Sequence, residues 1–123
     1  MRPDRIRQLQ SLFFPFAETA RAGAWQPSAD VYRTRQGWLV KLDLAGVRPE
    51  DVQVSVQGNR LTVRGTRRDW SLQEGCSHYQ MEIAYSRFER SLTLPVSLEQ
   101  TRITAEHRQG MLLIHIRPEG DQR

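Results

Sequence analysis

Cys76 and His78 stand two residues apart in a polar stretch of a 123-residue chain. A thiol beside an imidazole is the smallest set that could make a nucleophilic pair or half of a zinc site. Neither is complete here, because no third or fourth ligand or base falls at motif spacing. A surface-loop thiol is the expectation, with no metal and no cofactor. His107 and His115 fall in alternating segments and read as strand residues. There is no Gly-rich phosphate loop of the Walker kind, so nucleotide hydrolysis has no support. The remaining chemistry is basic: Arg60, Arg64, Arg67 and Arg68 gather on and after one hairpin, with Trp70 close by. Such a group could hold a single strand by charge and stacking. Against that, the chain carries 18 Lys+Arg and 14 Asp+Glu, a net charge of +4, with the acids interleaved. An ordinary mixed-sign surface is expected, and no specific nucleic-acid partner. Binding of an oligonucleotide at about 150 mM salt, where weak charge attraction is screened, separates the two readings.

These residues have to be positioned by something, and the pattern is all-β. With 26% charged and 38% hydrophobic residues, the chain suits one globular domain. Thr101 to Ile116 holds two alternating runs: Ile103, Ala105 and His107, then Leu112, Ile114 and Ile116. Period two puts alternate side chains on opposite faces of a strand. Gly110 between the runs suits a short, bulged hairpin loop. The second run is apolar on both faces and belongs inside a sheet; the first lies nearer an edge. Upstream, Ala29–Thr34 reads as a short strand, and Trp38, Val40, Leu42 and Leu44 alternate in the next. Val52, Val54 and Val56 pair with Leu61 and Val63 across the two-residue turn Gly58-Asn59, the clearest hairpin in the chain. Phe88 to Leu94 is another strand, closed by Pro95. Gly65 to Gln80 is polar and aperiodic, too long for an idle connection, with Trp70 and Leu72 as apolar islands. Short strands at close spacing imply a two-sheet sandwich or barrel.

Residues 1–24 differ. Ile6, Leu9, Phe13 and Phe16 fall at helical spacing, and Pro15 would end or kink a helix there. One reading packs this helix on its own domain. The other makes it a mobile arm whose Phe13, Phe14 and Phe16 meet other chains, since each exposed Phe forgoes about 2–3 kcal/mol of burial. The second is preferred. The single cysteine, Cys76, permits no intrachain disulfide and fits a reducing compartment. No apolar run approaches membrane length, and the short proline-broken Leu12–Ala17 run is a poor signal peptide, so a cytoplasmic protein without membrane insertion is expected.

With the strands placed, several spaced motifs resemble the alpha-crystallin domain of small heat-shock proteins. Ala105-x4-Gly110-x-Leu112 followed by Ile114-x-Ile116 resembles the signature at its end. Trp25 to Tyr32 looks like its entry, and Leu42-Asp43-Leu44-Ala45-Gly46-Val47 the segment after, with Ala45 where a proline is usual. Glu50-Asp51-Val52 and Leu61 to Gly65 match the central hairpin. Glu82, Tyr85, Phe88, Arg90, Leu92, Leu94 and Pro95 match the next motif, with Ile83, Ser86 and Leu92 departing from the common residues. The resemblance spans Trp25 to Pro118 and divides the chain into an arm (1–24), the domain (25–117) and a short tail (118–123).

That resemblance implies an all-β, immunoglobulin-like sandwich and an ATP-independent holdase for partly unfolded proteins, with no enzymatic activity. It also implies a homodimer in which the long loop of one chain lies on the first strand of the other. The expected interface holds Ala29, Val31, Tyr32, Trp70, Leu72, Tyr79, Met81 and Arg90. Arg90, among apolar neighbours, is expected to pair with an acid such as Glu82 or Glu106, within the chain or across the dimer, or to reach water with its head while its stem packs; a structural pair is preferred to direct client contact. The family usually ends in an Ile-x-Ile tail that docks on another subunit's sandwich edge. Here the sequence stops at Arg123, and Ile114-His115-Ile116 lies in a strand and cannot serve. The tail is either absent by nature or removed. Dimers or small oligomers and an open groove are therefore expected. Client contacts would fall to Leu9, Leu12, Phe13, Phe14 and Phe16 of the arm, and to groove walls at Val52, Val54, Val56, Ile103 and Ala105. The groove valines could equally be ordinary core. A rival of the same fold is an assembly subunit serving one folded partner.

Overall fold

Alternation becomes strand wherever one face can be buried, and the computed structural model carries this through. It describes the backbone of residues 5–9 and the chain over 24–70 and 75–119. The strands are β1 (Arg5–Leu9), β2 (Ala29–Thr34), β3 (Gly37–Asp43), β4 (Val52–Gln57), β5 (Arg60–Thr66), β6 (Arg87–Thr93), β7 (Thr101–Arg108) and β8 (Met111–Pro118). Two antiparallel sheets result, one in the order β1-β7-β8-β3-β2 and one in the order β4-β5-β6. Pro49–Asp51 forms a single 3-10 turn leading into β4, with proline early in it where its missing N–H costs nothing.

The core lies between the sheets. Val40, Leu42 and Leu44 after β3 meet Ile103 and Ala105 of β7 and Leu112, Ile114 and Ile116 of β8. From the other sheet come Val54, Val56, Leu61, Val63 and Phe88, and Leu94 and Leu98 close one end. β8 is interior, as its double apolar face requires, with Ile114 opposite Val40 on one side and Ala105 on the other. The Gly58-Asn59 hairpin has the expected register, Gln57 opposite Arg60.

Two expectations are corrected. Residues 5–9 are not helical: they form β1, antiparallel to β7, with Leu9 opposite Ile103 and Arg5 opposite His107. Helical spacing of Ile6 and Leu9 is a local preference, and an open strand edge far along the chain outweighs it by supplying backbone partners. The groove at β7 is accordingly not open along its main chain. Leu12, Phe13, Phe14 and Phe16 lie outside the described residues. The second correction concerns the last hairpin, which is a two-residue turn rather than a bulge. Arg108 pairs with Met111, and Gln109 (φ 53°) and Gly110 (φ 79°) both take the left-handed region that a type I′ turn requires.

Gly65 is demanded by a close approach. A Cβ there would stand 2.1 Å from the backbone oxygen of Asp51 and 2.8 Å from the Phe88 ring. Gly65→Ala should lose about 1–3 kcal/mol through overpacking, read as a lower urea midpoint at unchanged slope. An unaltered midpoint would show that β4 and β5 can part at this point without cost.

Candidate dimer and client surfaces

The connection between β5 and β6 contains no strand or helix among its described residues. It nevertheless carries much of the exposed apolar surface: Trp70, Tyr79, Met81, Ile83 and Tyr85 all face solvent, Tyr79 at 99%. Four of these alternate, at 79, 81, 83 and 85, with Gln80, Glu82 and Ala84 between them. That is the pattern of a strand with one apolar face and no partner. Sequence reading registered Tyr79 and Met81 but missed the row. The signal was present, as period two continuing past Gln80 where the polar stretch ends. Leu72 lies outside the described residues.

β2 offers the complementary feature. It pairs with β3 on one side only and ends its sheet. Ala29 is half-buried against the core, while Val31 and Tyr32 are each 41% exposed. The Tyr32 hydroxyl donates to Asp30 Oδ2 at 3.4 Å, and Lys41 Nζ lies 5.2 Å from the Tyr32 ring centroid. Hydrogen bonding and charge interaction with Tyr32, with a lesser pull from Asp30, hold the Lys41 pKa above its usual value against desolvation. The edge thus keeps a lysine at hand, a common device against indiscriminate strand pairing.

The free side of β6 is closed from within. Trp25 N–H donates to Arg87 O and Glu89 N–H to Trp25 O, both at 3.1 Å. The Trp25 ring tilts against Phe88 with centroids 5.4 Å apart. Arg90 belongs to this closure: its Nη1 donates to the Pro27 carbonyl at 3.0 Å. The expected acid partners are engaged elsewhere within the chain. Glu106 meets Arg108 at 3.0 Å and His115 at 3.4 Å, and Glu82 accepts from Gln80 Nε2 at 2.6 Å. Arg90 therefore fastens the entry segment to β6 within one chain, through a carbonyl that no sequence motif announces.

The groove candidates are placed inward. Val54, Val56, Ile103 and Ala105 are 5–8% exposed and sit in the core, and Val52 packs against it. Their alternate positions turn between the sheets, so in this conformation they are core side chains rather than surface ones. Of the basic cluster, Arg68 is spent on Asp51, with Nε to Oδ2 at 3.1 Å and Nη2 to Oδ1 at 3.3 Å, and Arg67 on two carbonyls. Two of the four arginines that a nucleic acid would need are thus used in holding the fold. Cys76 is exposed, and His78 Nε2 lies 3.8 Å from Asp69 Oδ2. Among the described residues no three His, Cys, Asp or Glu gather as a metal site, and no helix is long and apolar enough to cross a membrane.

A two-sheet sandwich whose β2 edge pairs on one side and whose long β5–β6 connection carries an apolar row is a domain of the alpha-crystallin type. The Hsp20/alpha crystallin family matches residues 30–123, and the chain belongs to that family. It is 30% identical to Spore protein SP21 of Stigmatella aurantiaca over 85% of this chain, and spans 63% of that protein, less than two thirds of its length. It is 30% identical to the 18 kDa heat shock protein of Streptomyces albus G, over 94% of this chain and 82% of that one. Heat shock protein 16.0 of Schizosaccharomyces pombe superposes with a TM-score of 0.65 at 28% identity, covering 80% of this chain and 92% of that one.

Arg90→Ala would leave the carbonyl of buried Pro27 without its charged donor, which costs about 1–3 kcal/mol. A Tm lowered by several degrees in a thermal melt is the expected result, and an unchanged Tm would show that the strap closes β6 without it.

Proposed function

We propose that this protein is an ATP-independent holdase of the cytoplasm, binding partly unfolded proteins reversibly and keeping them from aggregating. One observation carries the reading: the chain folds as the two-sheet sandwich of the Hsp20/alpha crystallin family, which matches residues 30–123. A holdase needs no catalytic group. A contact of a few hundred Å2 yields only moderate affinity once side chains are ordered, and that suits capture and release. The arm residues Leu9, Leu12, Phe13, Phe14 and Phe16 are proposed as client contacts.

The unit we propose is a homodimer built by loop exchange. The alternating segment Tyr79–Tyr85 of one chain adds to β2 of the other, supplying the edge with backbone partners and burying the apolar row. Small oligomers through the arm are compatible with it.

The reading is tested by light scattering from two unrelated heat-labile enzymes without ATP. Suppression of both near equal mass is expected. Suppression of neither, with the protein folded, would overturn it, and suppression of one alone would favour a dedicated assembly subunit. For the dimer, Met81→Ser with Ile83→Ser should give monomers by sedimentation equilibrium; a retained dimer mass would rule out this exchange.

A further inference from the structure

Arg67 is engaged on every side. It follows the last residue of β5, and its backbone N–H donates to Ser86 O at 3.1 Å. Its Nε donates to Ala84 O at 2.9 Å, and its Nη1 to Ala45 O at 3.1 Å. Its Cζ lies 4.3 Å from the centroid of the Trp25 ring. One side chain thereby joins four segments: the outgoing limb of the long loop, its returning limb, the turn after β3, and the strap that enters the domain. Beside it is an open pocket of about 330 Å3, walled by Ala45, Arg68, Trp70, Ile83 and Tyr85. Next along the chain, Arg68 fixes the outgoing limb again through Asp51.

The two carbonyls bracket the base of the returning limb. Arg67 takes Ser86 O through its main chain and Ala84 O through its side chain. That base is held at two points, between bends at residues 83 and 86. A guanidinium is suited to this because its planar fork can donate in two directions while its face lies on an indole. Lysine, a point charge on a flexible stem, can keep the contact with Trp25 but not the fork.

We infer that Arg67 is the positioning residue for strand exchange: it anchors the base of the returning limb at Ala84 and Ser86 and so fixes where the 79–83 segment is presented to β2 of a second copy. This rests on the loop-exchange dimer proposed above. Without the fork that base is free to shift, and the partner must order the segment on binding.

The test is the dimer dissociation constant, from sedimentation over a concentration series, for the full chain and for Arg67→Ala, Arg67→Lys and Leu98→Ala. Leu98 is buried in the core at 2% exposure and is an unrelated source of lost stability. Both Arg67 variants are expected to weaken the dimer by roughly tenfold or more, with Leu98→Ala unchanged. If Arg67→Ala does not fold, Arg67→Lys alone decides. A wild-type constant in the Arg67 variants, or an equal weakening in Leu98→Ala, overturns the inference while the dimer itself stands. A dimer that survives Met81→Ser with Ile83→Ser, or an unaltered chain that is monomeric throughout, overturns the exchange reading and Arg67's part in it.

Discussion

An antiparallel sheet ends in a row of unpaired amides and carbonyls, and this molecule is arranged around that constraint. Two sheets make four edges, here the outer sides of β1, β2, β4 and β6. β1 covers β7, and β6 is met by the Trp25 strap, whose two backbone bonds and Arg90–Pro27 contact fasten it down. β2 pairs on one side only, with Lys41 held over Tyr32 near that edge. Covering strands cost conformational entropy, so each must recover it in hydrogen bonds and burial. β6 is closed by aromatic burial against Phe88, an arrangement built to stay. β1 meets β7 in a continuous antiparallel register, from Arg5 opposite His107 to Leu9 opposite Ile103.

The interior sets the precision of the rest. The apolar inward residues of β3, β7 and β8 meet those of β4, β5 and β6, and close packing leaves strand positions little freedom. Gly65 shows the tolerance, since the Asp51 backbone and the Phe88 ring approach it more closely than any side chain would allow. Held so, the sandwich gives the β5–β6 connection two fixed roots. The loop can then be long and apolar without loosening the body, because Arg67 and Arg68 bind its base to the turn after β3 and to Asp51.

How far this was legible in sequence depended on how local the deciding interaction was. Six of the strands carry period two in their own residues, and Val40, Leu42, Val54, Val56, Leu61 and Val63 declare the core by alternation alone. Family motifs extended that reading to the fold. Arg5–Leu9 could not be read this way, because Ile6 and Leu9 are compatible with helix and only β7 decides otherwise. Arg90 and Arg67 were opaque for a related reason: their partners are backbone carbonyls, which leave no trace in residue type. The row Tyr79, Met81, Ile83 and Tyr85 was legible and was passed over because polar neighbours dilute it.

The pairing of β1 with β7 also orders events in time. The two strands lie about a hundred residues apart, which at roughly 5–20 residues per second means that β1 leaves the ribosome some 5–20 s before its partner exists. Closing so long a loop is also among the slower steps of folding. During synthesis, then, the amino-terminal strand waits unpaired beside a growing sandwich, and neighbouring copies on one message are at high local concentration. Whether that strand first meets its own β7 or another chain's is decided by the order of emergence, before any stress has unfolded a client.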